Sequence, residues 1–271
     1  MLKINKSSYL AGLFEGDGHI SICPNNSYNP RFNITFNSVD INTALFIKSW
    51  FNDFGFIRLK KRENAVVYTV SNLKGLVLIV NTINGKLRTP KIRQLNNLIT
   101  YLNMYKNQNI TLLPLDNSPL IDNSWLAGFS DADGCFDIRY TDGLKKLRIA
   151  TRFRLDQRKL DPISCESYEN ILKEICDYLN INLLKSIRKE KEYLIINASS
   201  RKSILIVKNY FNNHTLLTSK YLNFLDWEKV TNMVLNNEHY TNKEDIKKIK
   251  NGMNNLRSYY NFDHLKHINF F

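Results

Sequence analysis

The sequence is poor in cysteine and contains no long hydrophobic run. Its 271 residues include only 4 cysteines, with no C-x-x-C pair and no histidine spacing typical of zinc sites. This argues against a disulfide scaffold or a zinc site, and reduced thiols are expected. The longest apolar run, Leu76 to Val80, is far shorter than the roughly 20 residues that span a bilayer. Since no hydrophobic signal segment opens the chain, we expect a soluble, intracellular protein without a membrane partner.

Acidic residues are also scarce relative to basic ones. Against 38 Lys+Arg stand 25 Asp+Glu, a net charge of +13. Residues 1–122 hold 14 basic and 7 acidic residues, leaving 24 and 18 for the rest, so the halves carry +7 and +6. Hydrophobic residues at 43% and aromatic residues at 12% are typical of a folded protein. Two similarly basic halves favour a long polyanionic partner, of which nucleic acid is the first candidate.

One sequence motif occurs twice. Tyr9-Leu-Ala-Gly-Leu-Phe-Glu-Gly-Asp-Gly18 recurs 116 residues later as Trp125-Leu-Ala-Gly-Phe-Ser-Asp-Ala-Asp-Gly134. Matching positions follow each copy in the same order: Phe32 and Asp40 with Phe153 and Asp161, then Thr89-Pro-Lys91 with Thr218-Ser-Lys220. The repeat predicts two related halves, residues 1–105 and 124–238, joined by a linker at 106–123 and followed by a tail at 239–271.

Hydrophobic periodicity predicts the same secondary structure in each half. Stretches of period-two alternation, such as Phe32, Ile34 and Phe36, indicate half-buried strands between amphipathic helices. Each half therefore reads helix, two strands, helix, two strands and two helices, an α+β arrangement. Asp40 and Asp161 are predicted to open helices, and a Lys-rich helix is predicted within residues 239–258.

The repeated motif predicts a close contact between two helices. Residues four apart lie on one helix face, so Gly12 with Gly16, and Gly128 with Ala132, leave that face nearly bare. Tight packing alone would explain this pattern. Each helix, however, ends in Asp-Gly, with Gly18 or Gly134 expected in the left-handed conformation of a helix C-terminus.

Parallel packing of these helices would bring Asp17 and Asp133 together. Their carboxylates would repel each other at the negative ends of both helix dipoles, raising their pKa values unless a cation lies between them. Oxygen ligands favour Mg²⁺. A metal held by two carboxylates and completed by phosphate and water is suited to phosphodiester hydrolysis.

The two motifs resemble those of the LAGLIDADG homing endonucleases, and the resemblance covers nearly the whole chain. It implies two pseudo-twofold αββαββα halves, whose four-stranded antiparallel sheets form a DNA-binding saddle. It also implies a site-specific endonuclease that cuts both DNA strands across the minor groove and leaves 3′ overhangs. Asp17 and Asp133, with Gly16 and Ala132 beside them, would bind Mg²⁺, for which Mn²⁺ would substitute, whereas Ca²⁺ would bind without supporting cleavage.

The resemblance also implies roles for residues around the paired acids. Lys91 and Lys220 fall where the family places active-site lysines, which would polarise water or stabilise phosphorane charge. Asn33 and Arg154 match a position that holds active-site water, although Arg154 departs from the usual amide. Glu15 and Asp131 lie away from the metal face, and we expect them to be caps or solvent-facing residues. His19 follows the first motif but Cys135 follows the second, which argues against a histidine base.

Outward-facing strand residues are predicted to bind DNA, since guanidinium and amide groups suit base edges of the major groove. They are His19, Ser21, Arg31, Asn33, Thr35, Arg58, Lys60, Asp137, Arg139, Arg148, Arg152, Arg154, Lys185 and Arg188. Two such sheets would span roughly 18–22 base pairs. Because the halves differ at most of these positions, one monomeric chain would recognise a non-palindromic duplex.

An RNA-binding maturase that assists intron splicing, with or without DNA cleavage, is the main alternative, and a non-catalytic DNA-binding regulator is a third. The 36 asparagines, with abundant Lys, Ile and Tyr, indicate an AT-rich genome. A mitochondrially encoded intron protein is therefore expected.

Overall fold

Both halves fold in the predicted order of elements. The computed structural model describes residues 2–24, 28–142 and 147–271. Strand β1 (Leu2–Ile4) precedes the first half, which then comprises α1 (Lys6–Asp17), β2 (Gly18–Ser21), β3 (Arg31–Asn37), α2 (Ile41–Ser49), β4 (Phe56–Lys60), β5 (Ala65–Val70), α3 (Leu73–Ile83) and α4 (Ile92–Lys106).

The second half repeats this order with longer central strands. It comprises α5 (Trp125–Asp133), β6 (Gly134–Asp142), β7 (Leu147–Arg158), α6 (Glu169–Leu179), β8 (Leu184–Arg188), β9 (Lys191–Ala198), α7 (Arg201–Asn213) and α8 (Lys220–Leu235). Helix α9 (Lys243–Asn251) and strand β10 (Ile268–Phe270) follow.

Each half contains one antiparallel sheet of four strands, in the orders β2-β3-β5-β4 and β6-β7-β9-β8. Alternate residues such as Phe32 and Ile34, or Phe153 and Leu155, are completely buried between sheet and helices. The opposite face of each sheet, here called the open face, carries polar and charged side chains. The predicted α+β class is confirmed.

The two aspartates predicted to open helices behave differently. Helix α2 does begin directly after Asp40, but the Asp40 carboxylate accepts a hydrogen bond from the Ser219 backbone amide at 2.6 Å instead of capping its own helix. The prediction for Asp161 is wrong, because α6 begins only at Glu169. Asp161 instead accepts hydrogen bonds from the amides of Ile163 and Ser164, so its carboxylate closes a turn.

The glycines that end the motif helices are required for space and not for a left-handed conformation. Gly18 and Gly134 have φ values of −93° and −76°, and both are extended, so the predicted left-handed turn is wrong. A Cβ on Gly18 would lie 2.7 Å from the Phe14 carbonyl oxygen, and one on Gly134 would lie 2.8 Å from that of Ser130. The chain can therefore pass directly from helix to strand only with glycine at these positions.

The C-terminal tail connects the two ends of the chain. Its helix is shorter than predicted, and only Ile246 of α9 is buried. Strand β10 then pairs in parallel with β1, an arrangement that periodicity could not reveal in so short a strand. Phe270 packs against Trp50 of the first half at a ring distance of 5.8 Å, so the tail reaches back across the molecule.

Candidate active site

Helices α1 and α5 pack side by side along their small residues. A Cβ on Gly12 would overlap the carbonyl oxygen of Trp125, and one on Gly128 would overlap that of Tyr9. One turn further on, Gly16 faces Ala132. Because the contacts advance in the same direction along both helices, the helices run parallel, as the sequence predicted.

This packing brings the last acids of the motifs together. A Cβ on Gly16, the neighbour of Asp17, would lie 3.4 Å from Oδ2 of Asp133. Asp17 is open to water and Asp133 is half-buried. Lost hydration among the surrounding protein atoms, followed by the negative charge of Asp133, raises the pKa of Asp17 to about 6, against the opposing effect of Lys220 and Lys91. Burial likewise raises the pKa of Asp133.

Lys91 and Lys220 bind the carbonyl ends of the motif helices. The Lys91 ammonium donates hydrogen bonds to the carbonyl oxygens of Gly16 and Gly18 at 2.8 Å and of Phe14 at 3.3 Å. Lys220 donates to those of Ser130 at 3.2 Å and Ala132 at 2.5 Å. A cation at a helix C-terminus offsets the negative end of the dipole, so each lysine stabilises the turn that carries a motif aspartate.

Each aspartate lies in a cleft with the lysine of the other half. A cleft of about 310 Å³ contains Asp133 together with Lys91 and His19 of the first half. A second cleft, of about 450 Å³, contains Asp17 together with Lys220 and Cys135 of the second half. Both sites are therefore composite, and neither half could form one alone.

The first acids of the motifs are buried, and the prediction of a solvent-facing position is wrong. Glu15 is fully buried and accepts hydrogen bonds from the amides of Arg88 and Thr89 and from Nε1 of Trp125. The expectation of a capping role is closer, because this carboxylate secures the segment that leads to Lys91. The sequence does show that Glu15 and Asp131 occupy the same position of the two motifs. It does not show their burial, because the partners of Glu15 are distant in the chain.

Asp131 makes the corresponding contacts in the second half. It accepts hydrogen bonds from the Leu217 amide at 2.7 Å, from the Thr218 hydroxyl and from the hydroxyl of Tyr9 at 2.5 Å. Burial raises its pKa, as it does that of Glu15. The aromatic residue that opens each motif thus hydrogen-bonds to the first acid of the other motif.

The sequence analysis does not single out Gln157, yet its side-chain amide reaches the last aspartate of the second motif. Its Nε2 lies 3.4 Å from Oδ2 of Asp133. Since Gly18 pairs with Ile34 and Gly134 with Leu155, the residue equivalent to Gln157 in the first half is Phe36. The two composite sites therefore differ in chemistry, because an amide lines one cleft and a phenyl ring lines the other.

Asn33 and Arg154, predicted to hold active-site water, make other contacts. The Asn33 amide lies 3.3 Å from Nε2 of His19 and accepts a hydrogen bond from Thr69 at 2.8 Å, which forms a polar row across three strands. Arg154 donates hydrogen bonds to Asp156 at 2.7 and 2.8 Å. Both side chains are held within their own sheet.

Most of the residues predicted to bind DNA lie on the open faces. Strand register places His19 opposite Asn33, Ser21 opposite Arg31, and Thr35 opposite Val67, which in turn faces Arg58. In the second half Asp137 faces Arg152, and Arg148 faces Thr141. Directly opposed residues project from the same face of a sheet, and this register also places Lys60, Arg139, Arg154 and Arg188 on the open faces.

Lys185 is the exception, and its predicted position is wrong. It lies opposite Leu194, a completely buried residue, so it projects toward the helices. Its ammonium is 3.8 Å from Glu169 at the start of α6. Lys185 and Arg188 are three residues apart on one strand, and strand alternation cannot place both on the same face.

Several open-face arginines already have acidic partners. Arg152 pairs with Asp137, and both Arg154 and Arg188 contact Asp156. Arg139 and Arg148 have no ion pair within residues 2–24, 28–142 and 147–271. The paired carboxylates hold the guanidinium groups in fixed orientations, while the unpaired arginines remain available for phosphate.

No group of three or more histidine, cysteine, aspartate or glutamate side chains suited to a metal occurs in the part of the chain that the structure describes. A cation at the paired aspartates would therefore have two carboxylates from the protein, with further ligands coming from carbonyl groups, water or substrate. That oxygen donor set fits Mg²⁺, which commonly takes one or two carboxylates together with substrate phosphates.

Within the same described residues, no helix combines the length and apolar character needed to cross a membrane.

The geometry defines a protein of two pseudosymmetric α+β halves that share one acidic centre. The family model described as LAGLIDADG endonuclease matches residues 10–102 and 126–231. This match covers more than half of the chain. The chain therefore belongs to the LAGLIDADG endonuclease family, which confirms the resemblance seen in the sequence.

Two relatives are similar over most of the chain. An uncharacterized cox1 intron-2 protein of Schizosaccharomyces pombe is 34% identical over 86% of this chain and 67% of its own length. The intron-encoded DNA endonuclease aI3 of Saccharomyces cerevisiae is 31% identical over 88% of this chain and 66% of its own length. The chain thus spans about two thirds of the length of these relatives, and both are intron proteins by name.

Solved structures share the fold. The homing endonuclease I-GzeII in complex with its DNA target has a TM-score of 0.72 at 22% identity, over 94% of this chain and 100% of that chain. I-SmaMI bound to uncleaved DNA in the presence of calcium ions has a TM-score of 0.68 at 18% identity, over 91% of this chain and 98% of that chain. These likenesses establish the two-domain architecture.

Proposed function

We propose that this chain is a site-specific endonuclease that uses a divalent metal to hydrolyse both strands of a long DNA duplex. The observation that carries the proposal is the convergence of Asp17 and Asp133 at the ends of two parallel helices. Lost hydration, followed by the negative charge of Asp133, raises the pKa of Asp17, and a bound cation would offset both effects. The stability of the fold does not require two neighbouring carboxylates at a position that is accessible to solvent.

Asp17 and Asp133 would hold the metal, which we infer to be Mg²⁺. Mn²⁺ would substitute, and Ca²⁺ would bind without supporting cleavage, in line with the uncleaved DNA complex of I-SmaMI with calcium. When bound, the metal would activate water and offset charge on the phosphodiester. The carbonyl oxygens of Gly16 and Ala132 are further candidate ligands. They accept hydrogen bonds from Lys91 and Lys220, but a carbonyl oxygen has a second lone pair.

The chain's own cations and amide would complete each site. Lys91 and Lys220 supply positive charge beside the cleft where a phosphate would enter, and they fix the helix ends that carry the aspartates. Burial lowers the pKa of Lys91, against the opposing effect of nearby acids, Asp133 first among them. The Gln157 amide, 3.4 Å from Asp133, would orient water or a phosphate oxygen on that side. Because Asp156 holds Arg154 on the open face, the function of Arg154 would be to contact DNA and not to hold water.

The two open faces would bind roughly 18–22 base pairs of duplex, with cleavage across the minor groove leaving 3′ overhangs. The side chains of the two faces differ, so the target would be non-palindromic and one monomer would suffice.

We assign the domains as residues 1–105 and 124–238, with 106–123 as linker and 239–271 as tail. The intron origin given by the relatives' names supports a mitochondrial location. Intron RNA is a second partner that the maturase alternative would require.

The test is to incubate the protein and Mg²⁺ with a DNA library that contains intron-insertion junctions in intronless form, and to sequence the ends produced. We expect cleavage at one site with 3′ overhangs, and none with the Asp17→Asn/Asp133→Asn double variant. Absence of cleavage at every junction, together with tight binding of intron RNA by both proteins, would favour the maturase and overturn the proposal.

A further inference from the structure

The second half has a longer connection between β7 and α6 than its counterpart in the first half. Ten residues, 159–168, join these elements, whereas three residues, 38–40, join β3 to α2. The longer connection, here called the β7–α6 loop, ends in exposed aliphatic groups. Ile163 is 72% exposed and Leu160 is 49% exposed. Single exposed aliphatic residues are common on protein surfaces, so exposure alone assigns no role.

The β7–α6 loop is built as a rigid turn. The buried carboxylate of Asp161 accepts hydrogen bonds from the Ile163 amide at 3.0 Å, from the Ser164 amide at 2.7 Å and from the hydroxyl of Tyr168 at 3.0 Å. The backbone of Asp161 also pairs with those of Cys165 and Glu166. These hydrogen bonds therefore fix the backbone at Ile163, although its side chain does not pack into the hydrophobic core. An exposed side chain that is fixed in this way is suited to contact with a partner.

The loop is also fixed to the other half of the molecule. Glu166 forms an ion pair with Arg93 of α4 at 2.5 Å. Leu160, Pro162 and Ile163 line the 310 Å³ cleft that contains Asp133, Lys91 and Gln157. An aliphatic tip with two largely exposed side chains thus stands at the edge of one composite site. At the other site, the short connection of residues 38–40 provides only the half-buried Val39.

We propose that Ile163, supported by Leu160, packs against the deoxyribose wall of the minor groove beside the phosphate that enters the Asp133 cleft. This inference rests on the proposed endonuclease function. A duplex that reaches Asp133 must pass this tip, and the sugars are the apolar part of its backbone. Leucine, isoleucine and proline are among the side chains that proteins insert between base steps from the minor groove, so aliphatic groups are compatible with this groove. The β7–α6 contact positions the strand that enters the Asp133 cleft, because a connection of this length occurs on that side and the half-buried Val39 on the other side is too short to replace it.

The experiment uses the full chain and its cognate duplex, with each strand labelled separately, in single-turnover reactions with Mg²⁺. Ile163→Ser should slow cleavage of one strand about tenfold, equivalent to about 1.4 kcal/mol, while the other strand stays within about twofold of wild type. Nicked duplex should accumulate, and Ile163→Leu should restore both rates. The matched control is Ile187→Ser, since Ile187 is 74% exposed on the helix side of β8, away from the open face.

A second measurement follows the contact without cleavage. Hydroxyl-radical footprinting in Ca²⁺ reports the accessibility of deoxyribose, and Ile163→Ser should lose protection at sugars near one cleavage position. Equal slowing of both strands, or an Ile163→Ser footprint and rates identical to those of Ile187→Ser, would overturn the inference while leaving the endonuclease function intact. If the wild-type chain cuts no duplex, the proposed function fails and this inference fails with it.

Discussion

The hydroxyl of Tyr9 donates a 2.5 Å hydrogen bond to the carboxylate of Asp131, across the boundary between the two halves. The pseudosymmetric contact is the 2.5 Å hydrogen bond from Trp125 to Glu15. Each acid also binds the backbone segment that leads to Lys91 or to Lys220. The same buried contacts therefore join the halves and position the groups around Asp17 and Asp133.

Tyr9→Phe should destabilise the protein, because it removes one donor from a buried carboxylate while preserving the ring. A hydrogen bond to a charged group contributes about 1.5–3 kcal/mol, and we expect a loss of that size in the free energy of unfolding. Urea denaturation provides the measurement. Tyr259→Phe is the control, since Tyr259 is 75% exposed. Equal midpoints for the two variants would contradict this account of the interface.

Gly12→Ala should force α1 and α5 apart, because the added methyl group would overlap the carbonyl oxygen of Trp125. Overpacking of this kind costs about 1–3 kcal/mol, or more where backbone is struck. Gly252→Ala is the matched control, since its Cβ would meet the nearest atom at 3.5 Å. The free energies of unfolding from guanidinium titration distinguish them, and similar values would show that the helices do not pack as described.

Lys91→Met should reduce the rate of DNA cleavage about 10²–10³-fold, because it removes a positive charge beside the reacting phosphate and frees the carbonyls of Gly16 and Gly18. Duplex affinity should change little, since Lys91 lies in the cleft and not on an open sheet face. Single-turnover cleavage and gel-shift titration separate the two effects. Lys74→Met, at an exposed position of α3, should cleave at the wild-type rate. Normal cleavage by Lys91→Met would exclude its catalytic role.

Asp17→Asn should raise the melting temperature of the metal-free protein at pH 7.5. Lost hydration and the charge of Asp133 raise the pKa of Asp17 from 3.8 to about 6 in the folded state. The stability associated with its protonated form is complete below about pH 3.8 and is lost as the pH rises through 6. The advantage of the variant should therefore shrink at pH 4. Asp177→Asn, at an exposed site on α6, is the control. A lower melting temperature for Asp17→Asn at pH 7.5 would contradict the raised pKa of Asp17 and the unfavourable charge that it implies.

The sequence was sufficient to predict the repeat, the order of elements and the parallel helix pair, because each depends on local periodicity or on small residues four apart. Asp161 and Lys185 were placed wrongly for local reasons. An Asp-Pro pair can close a turn as well as start a helix. Lys185 and Arg188 are three residues apart on one strand, so alternation places them on opposite faces.

The remaining features of the site depend on contacts between residues far apart in the chain. Glu15 is predicted to be a cap or a solvent-facing residue, and its burial could not be predicted because its partners, Thr89 and Trp125, are 74 and 110 residues away. Gln157 lies near Asp133 only because β7 is paired with β6 in one register. The pairing of β1 with β10 joins the two ends of the chain, and neither strand has a pattern of its own.

The central claim is that one carboxylate from each half contributes to a shared cation site that cleaves DNA. The most direct measurement compares Asp17→Asn and Asp133→Asn with wild type, determining duplex affinity in Ca²⁺ and single-turnover cleavage in Mg²⁺ for each protein. We predict that either substitution nearly abolishes cleavage of the bound duplex while affinity for DNA is largely retained. Wild-type cleavage per bound complex in either variant, with only binding weakened, would contradict the claim.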